Sequence, residues 1–298
     1  MPLKTILLAA LAVVTVAFIV VWGRHLRAAV GAKGHDDAPA PPTIFQTLIG
    51  FVTNFFDTLG IGSYAPTTAI YKLKKIVPDE RIPGTMTIGH ALPTITQAFI
   101  FIRGVEVEAT TLVLMIVLAV AGAWLGASIV AGWPRRNIQL GMGGALLVAA
   151  ALFTMANLHI VAVGGGALGL SGAKLAIGLV GSLVLGALMM IGIGFYGPCM
   201  ILISLLGMNP LAAFPIMMGA CAFLMPISSI KFLDAKSYSV RPALGLTLGG
   251  IPAVLIAAFI VKSLPLTAVR WLVVVVVVYS ASVMLRSAYV ERRSGVAA

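Results

Sequence analysis

Few side chains in this sequence have chemical reach, and most of them gather around one repeated phrase. Asp57 is the only acidic residue deep inside an apolar run, and Asn54 precedes it by one helical turn on the same face. Placing a carboxylate in hydrocarbon costs about 2.5–3.5 kcal/mol on insertion scales, so Asp57 must face protein or water. His90 follows in the next apolar run, among Thr85, Thr87, Thr94 and Thr96. An imidazole there can take up and release a proton near neutral pH. Proton coupling or gating is thus the chemistry that Asn54, Asp57 and His90 suggest. A structural hydrogen bond at Asp57 and plain packing at His90 are the simpler alternatives. No metal-ligand spacing, nucleophile–base pair, Walker loop or dinucleotide fingerprint accompanies them, so neither an enzyme nor a cofactor site is expected.

The repeated phrase is Gly60-Ile61-Gly62-Ser63-Tyr64-Ala65-Pro66, which returns as Gly192-Ile193-Gly194-Phe195-Tyr196-Gly197-Pro198, five of seven positions identical at an offset of 132. Both copies interrupt long apolar runs. Two glycines free the backbone, and proline suits the first turn of a new helix. Each copy therefore reads as one helix ending near mid-membrane and another beginning at the proline. Uncommitted N–H groups and positive dipole ends at Pro66 and Pro198 would favour an anion. Ser63, Tyr64, Thr67, Thr68 and Tyr196 would add hydroxyl donors. The expected substrate-binding set is Gly60, Gly62, Ser63, Tyr64, Pro66, Thr67, Gly192, Gly194, Tyr196 and Pro198; the alternative is that these residues merely kink packed helices. Paired interruptions in corresponding positions are the best sequence pointer to a transporter's site. The positions matching Asn54 and Asp57 are Gly186 and Met189, so the acidic character belongs to one half only. Tyr279 and Ser280, after a valine run, are further cavity candidates.

The elements that must position these residues are membrane helices. Of 298 residues, 60% are hydrophobic and only 10% charged, and several apolar runs reach the roughly 20 residues that cross a bilayer. The net charge of +11 sits in short loops at the ends of these runs, which sets topology and gives no nucleic-acid patch. Cys199 and Cys221 lack any CxxC spacing and read as packing residues.

The expected fold is an all-α polytopic membrane protein of two homologous halves. Each half holds an interrupted helix, crossing or re-entrant, and three transmembrane helices, with the halves as inverted repeats. One extra helix precedes them. In order, these are an uncleaved N-terminal helix (1–30), a linker (31–43), repeat one (44–157), a glycine-rich joint (158–172), repeat two (173–287) and a cytoplasmic tail (288–298). Helices are expected at about 84–103, 109–132, 138–157, 210–231, 242–262 and 266–287. Pro83 answers Pro215 at the same offset of 132, and Pro134 answers Pro265 at 131. If the interrupted segments cross, the 20 Lys and Arg residues divide 11 against 9; if they re-enter, 15 against 5. The positive-inside rule makes the second arrangement the oriented one.

With Gly-Ile-Gly opening each half, an Arg103-Gly104-Val105-Glu106 connector and a Pro-led last helix, residues 44–287 resemble the TauE/SafE group of sulfite- and organosulfonate-exporter-type membrane proteins. Ser63-Tyr64 and Phe195-Tyr196 stand where that group more often has further glycines. The resemblance implies secondary transport of a small inorganic or sulfonate anion, commonly outward, through the bacterial-type inner (plasma) membrane. The expected partners are that anion, the lipid bilayer and coupling protons, with self-association open and no nucleic acid. The competing reading is a cation or metal permease using Asp57 and His90.

Overall fold

The computed structural model describes residues 2–31, 41–130, 135–158, 165–189 and 194–293. These contain α1 (Pro2–Gly31), α2 (Ile44–Thr58), α3 (Tyr64–Lys74), α4 (Ile82–Gly104), α5 (Ala109–Val130) and α6 (Arg135–Asn157). There follow α7 (Gly172–Met189), α8 (Tyr196–Leu205), α9 (Ala213–Asp234), α10 (Val240–Ser263) and α11 (Leu266–Arg293). Short 3-10 turns at Asp79–Arg81 and Pro210–Ala212 lead into α4 and α9, and no strand occurs among the described residues. Six of the helices are long and apolar enough to cross a membrane: α1, α6, α7, α9 with its 3-10 lead, α10 and α11.

Both interrupted segments are hairpins. Ile49 of α2 and Tyr71 of α3 share one buried cluster with Val77, Ile82, Met86 and Leu246. A chain running straight on would separate Ile49 from Tyr71 by about 33 Å, so α3 must fold back along α2. In the second segment, Leu202 of α8 lies against Gly181 of α7, and Leu206 against Gly178. The two pairs bracket the break as Ile49 and Tyr71 do in the first. Thr43 opens the first hairpin with a capping box: Gln46 N donates to Thr43 Oγ1 at 3.2 Å and Thr43 N to Gln46 Oε1 at 2.9 Å. The returning helices end alike. Lys75 N donates to the Lys72 carbonyl and Ile76 N to that of Tyr71; 132 residues on, Gly207 N donates to the Ser204 carbonyl and Met208 N to that of Ile203. The pivot residue is left-handed in both, Lys75 at φ 50° and Gly207 at φ 91°.

The chain divides into two compact units that cut across the sequence halves. One holds Pro2–Ile102 with Cys221–Val261; the other holds Arg103–Ala220 and the chain from Lys262 on. The reason is visible at glycine contacts. In the first unit, a methyl on Gly249 of α10 would strike the Thr47 carbonyl of α2, and one on Gly50 would strike the carbonyl of Gly245. In the second, a methyl on Gly122 of α5 would strike the Leu183 carbonyl of α7, and one on Gly186 that of Ala119. Each broken helix thus packs, backbone against backbone, on a helix from the other sequence half. Lipid supplies no hydrophobic drive between such helices, so close van der Waals approach at glycine is what holds them. α1 docks on its unit by one stripe, Leu7, Leu11, Phe18 and Trp22, all buried.

In the second unit the start of α5 is tied to the described part of the joint. Glu108 N donates to the Leu168 carbonyl, and the Glu108 carboxylate accepts from Thr110 N, Thr111 N and Thr111 Oγ1. Thr111 Oγ1 in turn accepts from Leu170 N at 2.9 Å. Partial burial would raise the Glu108 pKa, but the Thr111 and Thr110 hydrogen bonds outweigh it and hold the carboxyl at about 2.

Two outcomes follow for stability. Gly249→Ala should lower the melting temperature in detergent by several degrees, whereas Gly144→Ala, with open space around it, should leave it unchanged or raise it slightly. Glu108 has a depressed pKa, so its stabilisation is full above about 4.5 and fades as pH falls toward 2. Glu108→Gln should therefore melt lower than wild type at pH 7, by roughly the 0.5–2 kcal/mol of a helix cap. The two melting curves should converge as pH drops from about 4.5 toward 2.

Candidate functional site

The first break is closed on its carbonyl side. Leu59 N and Ile61 N donate to the Phe56 carbonyl and Gly60 N to that of Asp57, all within 3.1 Å. Gly60 at φ 95° and Gly62 at φ 89° make the turn, in a backbone region other residues avoid. α3 then starts at Tyr64, with Ser63 as a buried N-cap residue whose side chain does not cap it. The helix begins two residues before the proline expected to open it, and α8 likewise begins at Tyr196 rather than at Pro198. Proline fits any first-turn position because no carbonyl four residues back awaits its missing N–H. The first intrahelical bonds run from Thr67 N to Ser63 O and from Cys199 N to Phe195 O. Neither helix start is capped by a side chain.

α4 supplies the wall opposite the first tip. It carries Thr87, His90, Thr94 and Gln97 along one stripe, and it is not among the six apolar spans. Sixteen of its 23 residues are buried, so this polar helix is enclosed by protein. Pro93 removes the N–H that would have met the Gly89 carbonyl; Thr247 Oγ1 of α10 donates to that carbonyl instead, at 2.8 Å.

His90 is fully buried between α2 and α3. Its Nδ1 lies 3.0 Å from Asn54 Oδ1, and its Nε2 lies 3.2 Å from Thr67 Oγ1. Asn54 Nδ2 donates to the carbonyls of Gly50, at 2.7 Å, and Leu246, at 3.4 Å. Thr67 Oγ1 donates to the Ser63 carbonyl at 2.7 Å. The Tyr64 ring lies 6.0 Å from the imidazole, centroid to centroid, and its hydroxyl donates to Thr87 Oγ1 at 3.1 Å. Thr68, also a hydroxyl candidate, reaches the Met86 sulfur. Farther along, Gln97 Nε2 donates to Asp57 Oδ2 and to Thr58 Oγ1, both at 2.9 Å. The carboxylate thus meets an amide from α4, as a buried acid must find some partner.

The structure therefore brings together Asn54, Ser63, Tyr64, Thr67 and His90, with Asp57 one turn farther along α2. Gly194, Tyr196 and Pro198 belong to the other compact unit, and Gly192 lies outside the described residues. Around the second tip Phe195, Tyr196, Cys199 and Met200 are buried, and among these four only Tyr196 carries a hydroxyl. Ser280 of α11 lies against Gly197, while Tyr279 is partly buried. Gln97, Thr58 and Thr247 are not among the residues that the sequence singles out. Gln97 had a signal, since it falls seven residues after His90 on the same helical stripe. Among the described residues no group of three His, Cys, Asp or Glu side chains is placed to hold a metal ion.

Fold and site together define a helical, multi-pass membrane protein with two broken-helix hairpins and a buried polar network at one tip. No protein-family model matches the chain, and no curated protein or solved structure is similar enough to count as a relative.

Removing the amide that meets Asp57 should be costly. Gln97→Leu is expected to destabilise the protein by about 1–3 kcal/mol, since a buried polar group loses a donor. Adding Asp57→Leu should cost less than the sum of the two single changes, a coupling of at least ~0.5 kcal/mol in a double-mutant cycle of thermal melts.

Proposed function

We propose that this protein is a secondary transporter for a small anion, with sulfite, an organosulfonate or a related sulfur oxyanion as the substrate class. Transport would proceed by alternating access around the two hairpin tips. The observation that carries this reading is the pair of matched hairpins. Each folds back at a glycine-bearing break and returns on a helix whose start no side chain caps, with proline in its first turn. Such a start presents N–H donors and a positive dipole end to a ligand without burying a lysine or arginine. Hydroxyls at Tyr64 and Thr67 add to the first tip. The sulfur-anion choice rests on the TauE/SafE resemblance.

In this reading the halves are inverted repeats, and the hairpins re-enter the membrane from opposite sides. Contacts between loops support it. His25 meets Asp234 at 3.5 Å, the Ser237 hydroxyl meets the Glu80 carbonyl, and the Arg241 guanidinium meets the Pro41 carbonyl. All of these fall on the side carrying fifteen basic residues if the hairpins re-enter. Glu108 with Leu168, Lys262 with Gly104 and Ala167 with Gly207 fall on the other side. Were the interrupted segments to cross, Glu80 and Ser237 would stand on opposite faces, as would Gly104 and Lys262. The positive-inside rule makes the basic side cytoplasmic, in an inner or plasma membrane.

Flux measured in proteoliposomes tests the proposal. Wild type should show saturable uptake of sulfite. Gly62→Ala, which has space for its methyl but a φ of 89°, should lower that flux at least tenfold, at a backbone cost of roughly 1–3 kcal/mol. Gly194→Ala, with open space and no such φ, should transport like wild type. Equal flux in all three would remove the tips from the mechanism. Folded wild type without flux of sulfite or any sulfonate would remove the substrate class.

A further inference from the structure

We infer that His90 is the proton-exchanging group of this carrier, that it exchanges through Nε2 alone, and that Asn54 enforces this by holding the Nδ1–H tautomer. The inference deepens the transport reading and rests on it for its functional half. Its structural half stands on the amide of Asn54. Nδ2 of that amide points at two carbonyl oxygens, those of Gly50 and Leu246. Turning the amide over would set its oxygen against both. Oδ1 is therefore the atom that faces His90 Nδ1, and an amide oxygen can only accept. Nδ1 must carry a hydrogen in either charge state of the ring.

Nε2 has a partner that works both ways. The Thr67 hydroxyl lies 3.2 Å from Nε2 and 2.7 Å from the Ser63 carbonyl. With His90 neutral, the Thr67 hydrogen turns to Nε2, and the Ser63 carbonyl keeps its bond from Thr67 N at 3.1 Å. When a proton arrives at Nε2, the new N–H donates to Thr67 Oγ1 and the Thr67 hydrogen swings to the Ser63 carbonyl. One proton is gained and one hydroxyl rotates; in the neutral state Thr67 Oγ1 draws back from its 2.7 Å contact with the Ser63 carbonyl, which keeps its bond from Thr67 N. The rotation takes place in the first turn of α3, at the break itself, so the charge state of His90 is registered at the tip. The titratable groups nearby are Tyr64 of α3 beside the ring, Asp57 of α2 bound to Gln97, and Cys221 of α9, within electrostatic range of Tyr64. α10 contributes Thr247 and a carbonyl near Asn54.

Nitrogen-15 spectra of the histidine-labelled full chain in nanodiscs read the tautomer directly. The protein has four histidines, and His90→Gln assigns the resonance. At neutral pH His90 should be the Nδ1–H form, the minor tautomer of free histidine. An Nε2–H spectrum would overturn the inference. Asn54→Leu should release the ring to the Nε2–H form; an unchanged tautomer in that variant would take the positioning role away from Asn54. In flux assays, His90→Gln should lose the pH dependence of transport, and Asn54→Asp should shift its midpoint upward by ~1–3 pH units, as a facing carboxylate favours the imidazolium. Unaltered pH dependence in His90→Gln would sink the coupling role. Since the spectrum needs no substrate, wild type without flux would remove the transport reading and leave the tautomer to be judged on its own.

Discussion

A helix that stops inside a membrane protein leaves backbone donors and acceptors with nowhere obvious to go, and this fold is arranged around that difficulty. In hydrocarbon, unlike in water, an unsatisfied backbone group costs several kcal/mol. At the first tip the carbonyl end is closed locally, because the N–H groups of Leu59, Gly60 and Ile61 return to Phe56 and Asp57. Gly60 and Gly62 make that closure possible through their positive φ. The donor end of α3 has no such closure: Ser63 does not cap it and Pro66 removes one donor. The break is thus chemically one-sided: the Phe56 and Asp57 carbonyls are taken, while no side chain caps the first N–H groups of α3. The proposed anion site would draw on this imbalance more than on any single side chain. The same need governs α4, where the carbonyl released by Pro93 is taken by Thr247 from another helix.

Such hairpins are too short to be stable alone, and each is held by a helix borrowed from the other half of the sequence. α10 runs against α2 and α5 against α7, both through glycines that admit no methyl group. Contact at Gly250 beside Asn54 in one unit corresponds, at offsets of 131 and 132, to contact between Ala119 and Gly186 in the other. Exchange of this kind ties the halves together without any loop between them. It also means that a substitution on α10 acts on the first tip, since Gly250 and Pro93 flank the Asn54 amide.

Much of this was legible in the sequence, because glycine, proline and apolar length are backbone signals that tertiary contacts rarely override. The apolar helices near 138–157, 210–231, 242–262 and 266–287, the two breaks, and the isolated polarity of Asn54, Asp57 and His90 could be read from residue type and spacing, whereas α4 and α5, expected as spans, are not among the six. Whether the first break turns the chain back or lets it cross could not, since both fit the same apolar run; it is decided by Ile49 and Tyr71 sharing one buried cluster. Proline marks each helix start only to within a turn, because the first turn accepts it at several positions. Gln97 and Thr247 escaped notice because neither titrates and each matters only through a partner, Asp57 at 40 residues' remove and Gly89 at 158. The Lys75 turn was hidden because a lysine does there what Gly207 does in the second hairpin.

The two tips differ in chemistry as much as they agree in backbone. Ser63 and Thr67 are answered by Phe195 and Cys199, and Asn54 and Asp57 by Gly186 and Met189. Under the proposed function this asymmetry has a physical consequence. An anion bound at the donors of the first tip would favour the protonated form of His90. By linkage, a protonated tip would in turn bind the anion more tightly, by the same factor. Anion and proton would then move together without a dedicated second ion site. Under that proposal one polar tip suffices, because a single group that titrates within reach of the substrate would be enough to couple them.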